Sequence, residues 1–356
     1  MQKNKIFVDI HVVQTIPPSC INRDDTGSPK TAVYGGVRRA RVSSQSWKHA
    51  MRLSFKDQFD ERELGVRTKK VISLVAEQIT LLDPSTPDAE KKAKAVLETA
   101  GVKTKDNESA ALFFLGRKQA ENLATLAIKG EYDKKAAQEA LNKSHGIDVA
   151  LFGRMVADDP SLNTDASAQV AHVISTHRVD NEYDYFTAMD ECSPKDNAGA
   201  GMIGTVEFNS ATLYRYSTVA VHDLFGHLVD SATTAKAVKE FARAFIISMP
   251  TGKQNTFASR TLPDAVMITL RHDQPINLVG AFETPIEISQ STSGGYAEES
   301  AKKLAEYSKK IYTTFASEPK KSWLMGGGLE SIGRAQDMPT VLNELENTIN
   351  EILVDI

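Results

Sequence analysis

Residues 6–13, Ile-Phe-Val-Asp-Ile-His-Val-Val, are dense in β-branched side chains, and Pro17-Pro18 follow soon after. Such side chains favour an extended backbone and an apolar environment, so the run predicts a buried first strand against which later elements must pack. Gly35-Gly36, set between two short strand-forming stretches, predict a tight hairpin. Its return arm, Arg38-Arg39-Ala40-Arg41-Val42-Ser43, alternates: if extended, it places Arg39, Arg41 and Ser43 on one face and Ala40 and Val42 on the other. Ser43-Ser44 then offer an N-cap, and the helix expected behind them carries Trp47, Met51 and Phe55 as its core stripe. Gln45, Lys48, Arg52 and Lys56 fall on an adjoining face, about 100° round by the 3.6-residue period. Arm, cap and helix together predict one continuous phosphate-binding edge.

The rest of the chain sets this edge in an α+β pattern. Residues 60–145 turn to Ala-, Lys- and Glu-rich helical stretches (68–82, 87–99 and 118–128), an inserted helical subdomain. Strand-like sequence returns at 147–151 and again at 168–175. Residues 189–204 have the Pro, Gly and small side chains of a long protruding loop. Strands are expected at 205–216 and 265–270, and helices at 233–248, 298–315 and 340–352. A ferredoxin-like β-α-β-β-α-β core with elaborations has this order, as one option among several.

The formal net charge of −4 argues on average against a partner with phosphates, but its distribution reverses that. Between Arg23 and Lys56 eight bases face only Asp24 and Asp25, a net +6, which leaves −10 on the remainder. One basic stretch on an acidic chain is the footprint of a polyanion bound in one place, or a solvated basic face. Charges interrupt every apolar run near the N-terminus, so neither a signal segment nor a membrane span is expected, and a cytoplasmic location follows. Cys20 and Cys192 are too few for a zinc site or a disulfide framework.

The common catalytic motifs are missing. The chain has no Walker loop, dinucleotide fingerprint, Gly-x-Ser-x-Gly elbow or His-Glu-x-x-His helix. His172 and His177, like His222 and His227, are five apart, which aligns neither pair on a helical face, so no metal is expected there. Asp24-Asp25 beside Arg23 suit a Mg²⁺-assisted cut of RNA in principle, and loop capping more simply. The aromatic-rich pattern of a base-reading RNA-recognition sheet is missing too, which leaves backbone recognition.

Ile21-Asn22-Arg23-Asp24-Asp25, Lys30, Tyr34-Gly35-Gly36 and residues 38–46, Arg-Arg-Ala-Arg-Val-Ser-Ser-Gln-Ser, closely resemble the type I-E Cascade backbone subunits (CasC, of the Cas-seven family in the RAMP superfamily). The likeness continues in residues 148–155, in His172 and His177, in Asp184-Tyr185-Phe186-Thr187-Ala188, in Leu213-Tyr214-Arg215-Tyr216 and in Gly252-Lys253-Gln254. It is looser in the helical insertion and beyond about residue 273.

The resemblance implies an RRM/ferredoxin-like palm (1–58, 151–186 and 209–356), helical fingers (59–150) and a thumb β-hairpin (187–208). It implies a non-catalytic subunit without cofactors that polymerises along a CRISPR RNA in an antiviral ribonucleoprotein complex. Its partners would be CasA, CasB, CasD and CasE, target DNA reached through the guide, and other copies of itself. Arg23, Lys30, Ser43, Gln45, Lys48 and Arg52 match positions along the guide backbone. Met155 and Phe186 match positions that hold RNA where a neighbouring thumb kinks out a base; composition alone reads both as core residues. Arg39, Arg41, Arg154, Lys253 and Gln254 complete the expected RNA-binding set. A metal-dependent RNase using Asp24 or Asp25 is the alternative, because related backbone subunits of other CRISPR types cut RNA from an aspartate-bearing loop. A small-molecule enzyme would instead need a pocket with convergent polar groups and perturbed titration.

Overall fold

The computed structural model describes residues 5–130, 132–156, 159–188, 202–289 and 295–355. The predicted first strand, β1 (Phe7–Ser19), runs on through Pro17-Pro18. Its pairing register shifts between Ile16 and Ser19, where the two prolines have no N–H to offer a ladder. β2 (Thr31–Tyr34) and β3 (Val37–Val42) form the expected hairpin, with φ of +59° at Gly35 and +77° at Gly36. Gly35 is needed for a second reason: a Cβ there would lie 1.7 Å from the Glu283 carbonyl oxygen. Helix α1 (Ser44–Phe55) starts at the predicted cap, where the Ser43 hydroxyl accepts from Ser46 N at 3.3 Å.

The insertion is helical but not wholly so. β4 (Gly65–Thr68), α2 (Val71–Leu82), α3 (Ala89–Ala100), the short pair β5 (Thr104–Lys105) and β6 (Glu108–Ser109), β7 (Phe113–Gly116), α4 (Arg117–Lys129) and α5 (Lys134–Asn142) follow in order. They enclose a core of their own, including Val75, Ile79, Val96, Leu97, Leu123 and Leu141. The stretch expected as a strand at 147–151 is instead a helix, α6 (Ile147–Phe152). Ile147, Ala150 and Leu151 recur at helical spacing and join the main core, while the Asp148 carboxylate accepts from Gly65 N at 2.7 Å.

β8 (Ala168–Val170), β9 (Val173–Ser175), β10 (Glu182–Ala188) and β11 (Met202–Ala220) come next, then α7 (Val221–Leu228), α8 (Ser231–Ile247) and the single turn α9 (Gln254–Phe257). β12 (Ala265–Arg271), α10 (Gly295–Thr314), β13 (Lys321–Gly326) and α11 (Met338–Val354) complete the order. β10 and the start of β11 form a two-stranded ribbon. Most of the protruding loop expected at 189–204 lies outside the described residues; 202–204 belong to β11.

The main sheet is antiparallel, in the order β13-β12-β1-β11-β9-β3-β2, with β8 and β10 added on β11. Val8, Ile10 and Val12 of β1 pack with Trp47 of α1, Phe241 of α8 and Leu345 of α11. The opposite face carries Val13, Tyr214 and Met267 under Leu304 of α10 and under Phe282 of the segment that precedes that helix. Both faces of the sheet are therefore closed, which leaves its edges, the β2–β3 arm and the insertion to form a surface for a ligand.

Candidate nucleic-acid interface

The predicted edge begins at the loop before β2. Lys30 N donates to Asn22 O at 2.9 Å, and the Asn22 side chain accepts from Ser43 N at 2.8 Å, so the Arg23 loop is tied to the start of α1. Arg41 N donates to Lys30 O at 2.8 Å, which sets these two cations side by side. The Arg41 guanidinium lies 3.3 Å from Nδ1 of exposed His172. Partial burial and the charges of Arg41 and Lys30 push His172 below its ordinary value. Gly252 presses on the Ile21 carbonyl, and this brings half-buried Lys253 and Gln254 to the same loop.

Down α1 the edge opens into a cleft of about 580 Å³ between α1 and the insertion, lined by Gln45, Lys48, Arg52 and Met155. Lys48 Nζ sits 5.8 Å from the centre of the Phe152 ring, and burial alone holds its ammonium below the usual lysine range. Arg52 lies 4.4 Å from the centre of Phe114 and pairs with the buried Asp148 carboxylate at 3.2 Å. Arg52 thus joins α1 to the insertion as well as facing the cleft. Met155 is 83% exposed, so core packing does not explain it. Phe186 is half-buried; its ring lies over Gly204, the opposite residue on the β10–β11 ribbon, and it does not line the cleft.

Two of the expected contacts have their donors already taken up by the protein, although Arg154 borders the cleft. Arg39 is fully buried and donates to the carbonyls of Tyr34 at 3.1 Å, Ser175 at 3.0 Å, Phe282 at 2.8 Å and Glu283 at 3.3 Å. It shares a face with Arg41, as alternation predicted, but the segment before α10 crosses over it and takes up its donors. Arg154 is also buried, donating to Leu162 O at 2.8 Å and Leu141 O at 3.0 Å, and burial lowers it to about 10. Both are structural clamps with no fork left for a phosphate. Ser43 belongs half to this class, since its oxygen caps α1.

The edge also contains residues that the sequence reading did not select. His49 follows Gln45 by four positions and precedes Arg52 by three, so its place was legible from helix spacing. Arg67 of β4 enters from the insertion, which no local pattern announces.

The competing chemistries fare differently. Asp24 Oδ1 accepts from Thr26 N at 2.9 Å, Thr26 Oγ1 at 2.7 Å and Ser28 N at 3.0 Å, and these bonds hold its carboxyl below the usual range. That is loop capping. Among the described residues there is no group of three or more His, Cys, Asp or Glu that could hold a metal ion. The strongly perturbed acid Asp9, pushed up to about 6 by burial, and its neighbour His11, lowered to about 3 by burial, are fully enclosed beneath α10. Tyr216 Oη donates to Asp9 at 3.0 Å and Ile276 N donates to it at 2.8 Å, so this carboxyl is tied into the packing beneath the helix.

The model of the CT1975-like protein family matches residues 8–353, nearly the whole chain. The chain belongs to that family. This CT1975-like protein is also similar to solved structures. A chain of a structure described as "CRISPR RNA-guided surveillance complex, pre-nicking" is 32% identical with a TM-score of 0.79, the match covering 96% of this chain and 100% of that one. A chain of a second, described as "CRISPR RNA-guided surveillance complex", is 30% identical with a TM-score of 0.63, covering 96% and 99%. Comparison with curated proteins finds no match. No helix among the described residues is long and apolar enough to cross a membrane.

Proposed function

We propose that this CT1975-like protein is a CRISPR RNA-binding backbone subunit of a surveillance complex, non-catalytic, cytoplasmic and of the type I-E Cascade kind. Copies polymerise along one guide, grip its phosphates and present its bases to target DNA, with CasA, CasB, CasD and CasE as further partners. The observation that carries this reading is the line of exposed or half-exposed donors from Arg23 and Lys30 through Arg41, Gln45 and Lys48 to Arg52, on a chain that is otherwise acidic. The similarity to chains of CRISPR RNA-guided surveillance complexes supports it.

We read β12-β1-β11-β9, with α1 after β1 and α8 after β11, as an RRM/ferredoxin-like palm, the insertion as fingers and the β10–β11 ribbon as the thumb. The sheet face on which an RNA-recognition fold stacks bases is here covered by α10, which favours backbone recognition at the edge. Phosphate contacts fix register without reading sequence, and pairing supplies the specificity that a guide of arbitrary sequence requires. Met155 and Phe186 are assigned to the bend in the guide.

Purification with and without a co-expressed CRISPR RNA tests the reading through particle mass and nucleic-acid absorbance. The expected result is a large, RNA-containing particle in the first case only, which leaves complementary RNA intact in Mg²⁺. A monomer indifferent to RNA, or cleavage of the complementary strand, would count against it.

A further inference from the structure

The side of the cleft opposite α1 is built by the insertion, and its arrangement has an energetic cost. On the β4–β7 ribbon Arg67 stands directly opposite Phe114, so the two side chains share a face. That face is the one on which the Arg52 guanidinium rests, 4.4 Å from the Phe114 centroid. Gly65 makes the approach possible: a Cβ there would lie 2.9 Å from Phe114 and 2.7 Å from Val149. Arg52 thus rests on the ring and Arg67 is its cross-strand neighbour on the same face, with Lys48 and His49 lining the same cleft.

Among the described residues acids do not balance them. Asp148 is the one buried carboxylate described at this place, and Arg52 takes it at 3.2 Å. A second cleft continues past Arg52 and Arg67 towards Lys56 and Arg117, and its other acid, Glu61, is held by Arg117 at 3.1 Å. Asp165 lines the first cleft but makes no ion pair among the described residues. Arg67 is exposed and has no ion pair among the described residues either. Like charges converging in a cleft with low-dielectric walls repel one another, and an anion between them turns that repulsion into attraction.

We infer that Arg67 is a phosphate contact made from the fingers side, so that the guide runs between α1 and β4 in a two-walled cleft rather than along an open edge. The inference rests on the proposed RNA-binding role and adds to it a second wall and a residue. Its consequence is that the insertion takes part in holding RNA, with β4 opposite the cations of α1.

The test is a salt titration of guide binding by the full chain carrying Arg67→Gln, beside Lys48→Ala and Arg62→Gln. Arg62 is an exposed cation that lines neither cleft. Melting temperature and circular dichroism establish that each variant is folded, and Arg67→Ser, which also removes the charge, replaces Arg67→Gln if the latter is not. For single-stranded nucleic acid each lost phosphate contact lowers the slope of log affinity against log salt by about 0.7. Arg67→Gln is expected to lower it by that amount for every spacer and Arg62→Gln to leave it unchanged; Arg67→Lys keeps the slope. An unchanged slope in Arg67→Gln with a lowered one in Lys48→Ala overturns the inference alone. Unchanged slopes in both overturn the RNA-binding reading with it.

Discussion

Arg39→Met destabilises the fold by about 3–5 kcal/mol, because it leaves four carbonyls of a closed interior without the charged donor that now satisfies them. The methionine fills much of the volume, so the loss reports hydrogen bonding more than a cavity. Arg41→Met, two residues on and on the same face, is expected to cost only about 0.5 kcal/mol or less, since that side chain is partly solvated. Denaturant midpoints of the two variants against the parent chain check the contrast. A midpoint for Arg39→Met equal to that of Arg41→Met would show that the carbonyl cage around Arg39 does not contribute as described.

The pair also marks where sequence reasoning stops. Alternation placed Arg39 and Arg41 on one face, and the face exists. What alternation does not contain is the segment around Phe282 and Glu283, which crosses one arginine and not the other. Arg154 misleads in the same way, because a charged residue counts as surface until a set of carbonyls from distant turns encloses it. The stretch 147–151 reads as a strand, although it forms the helix Ile147–Phe152, because five apolar or β-branched positions in six satisfy either period. Where a local rule suffices, the reading holds: the Gly35-Gly36 turn, the Ser43 cap, the Trp47, Met51 and Phe55 stripe, and long helices such as Ser231–Ile247 and Met338–Val354. Arg67 lay beyond reach, since only the pairing of β4 with β7 and their docking on α1 bring it to the cleft.

Replacing Lys30 and Lys48 together by alanine lowers the salt slope of guide binding by about 1.4, two contacts at about 0.7 each, with an equal loss of affinity for every spacer. These two are chosen because neither supports the fold through an ion pair among the described residues. Arg52 is a poorer probe: removing it leaves Asp148 buried without its partner, so stability and binding would fall together. Filter binding over a range of salt, with two spacers of unrelated sequence, gives both slope and affinity. A drop confined to one spacer would mean that these lysines read bases.

The central claim, that this chain holds its guide by the backbone and is indifferent to sequence, is tested most directly by the unmodified protein. Affinity for several spacers of equal length and unrelated sequence, measured across salt concentrations, is the decisive measurement. The account predicts one common line of steep slope for all of them. Lines separated by more than about tenfold in affinity, the equivalent of about 1.4 kcal/mol, or a slope near zero, would contradict it.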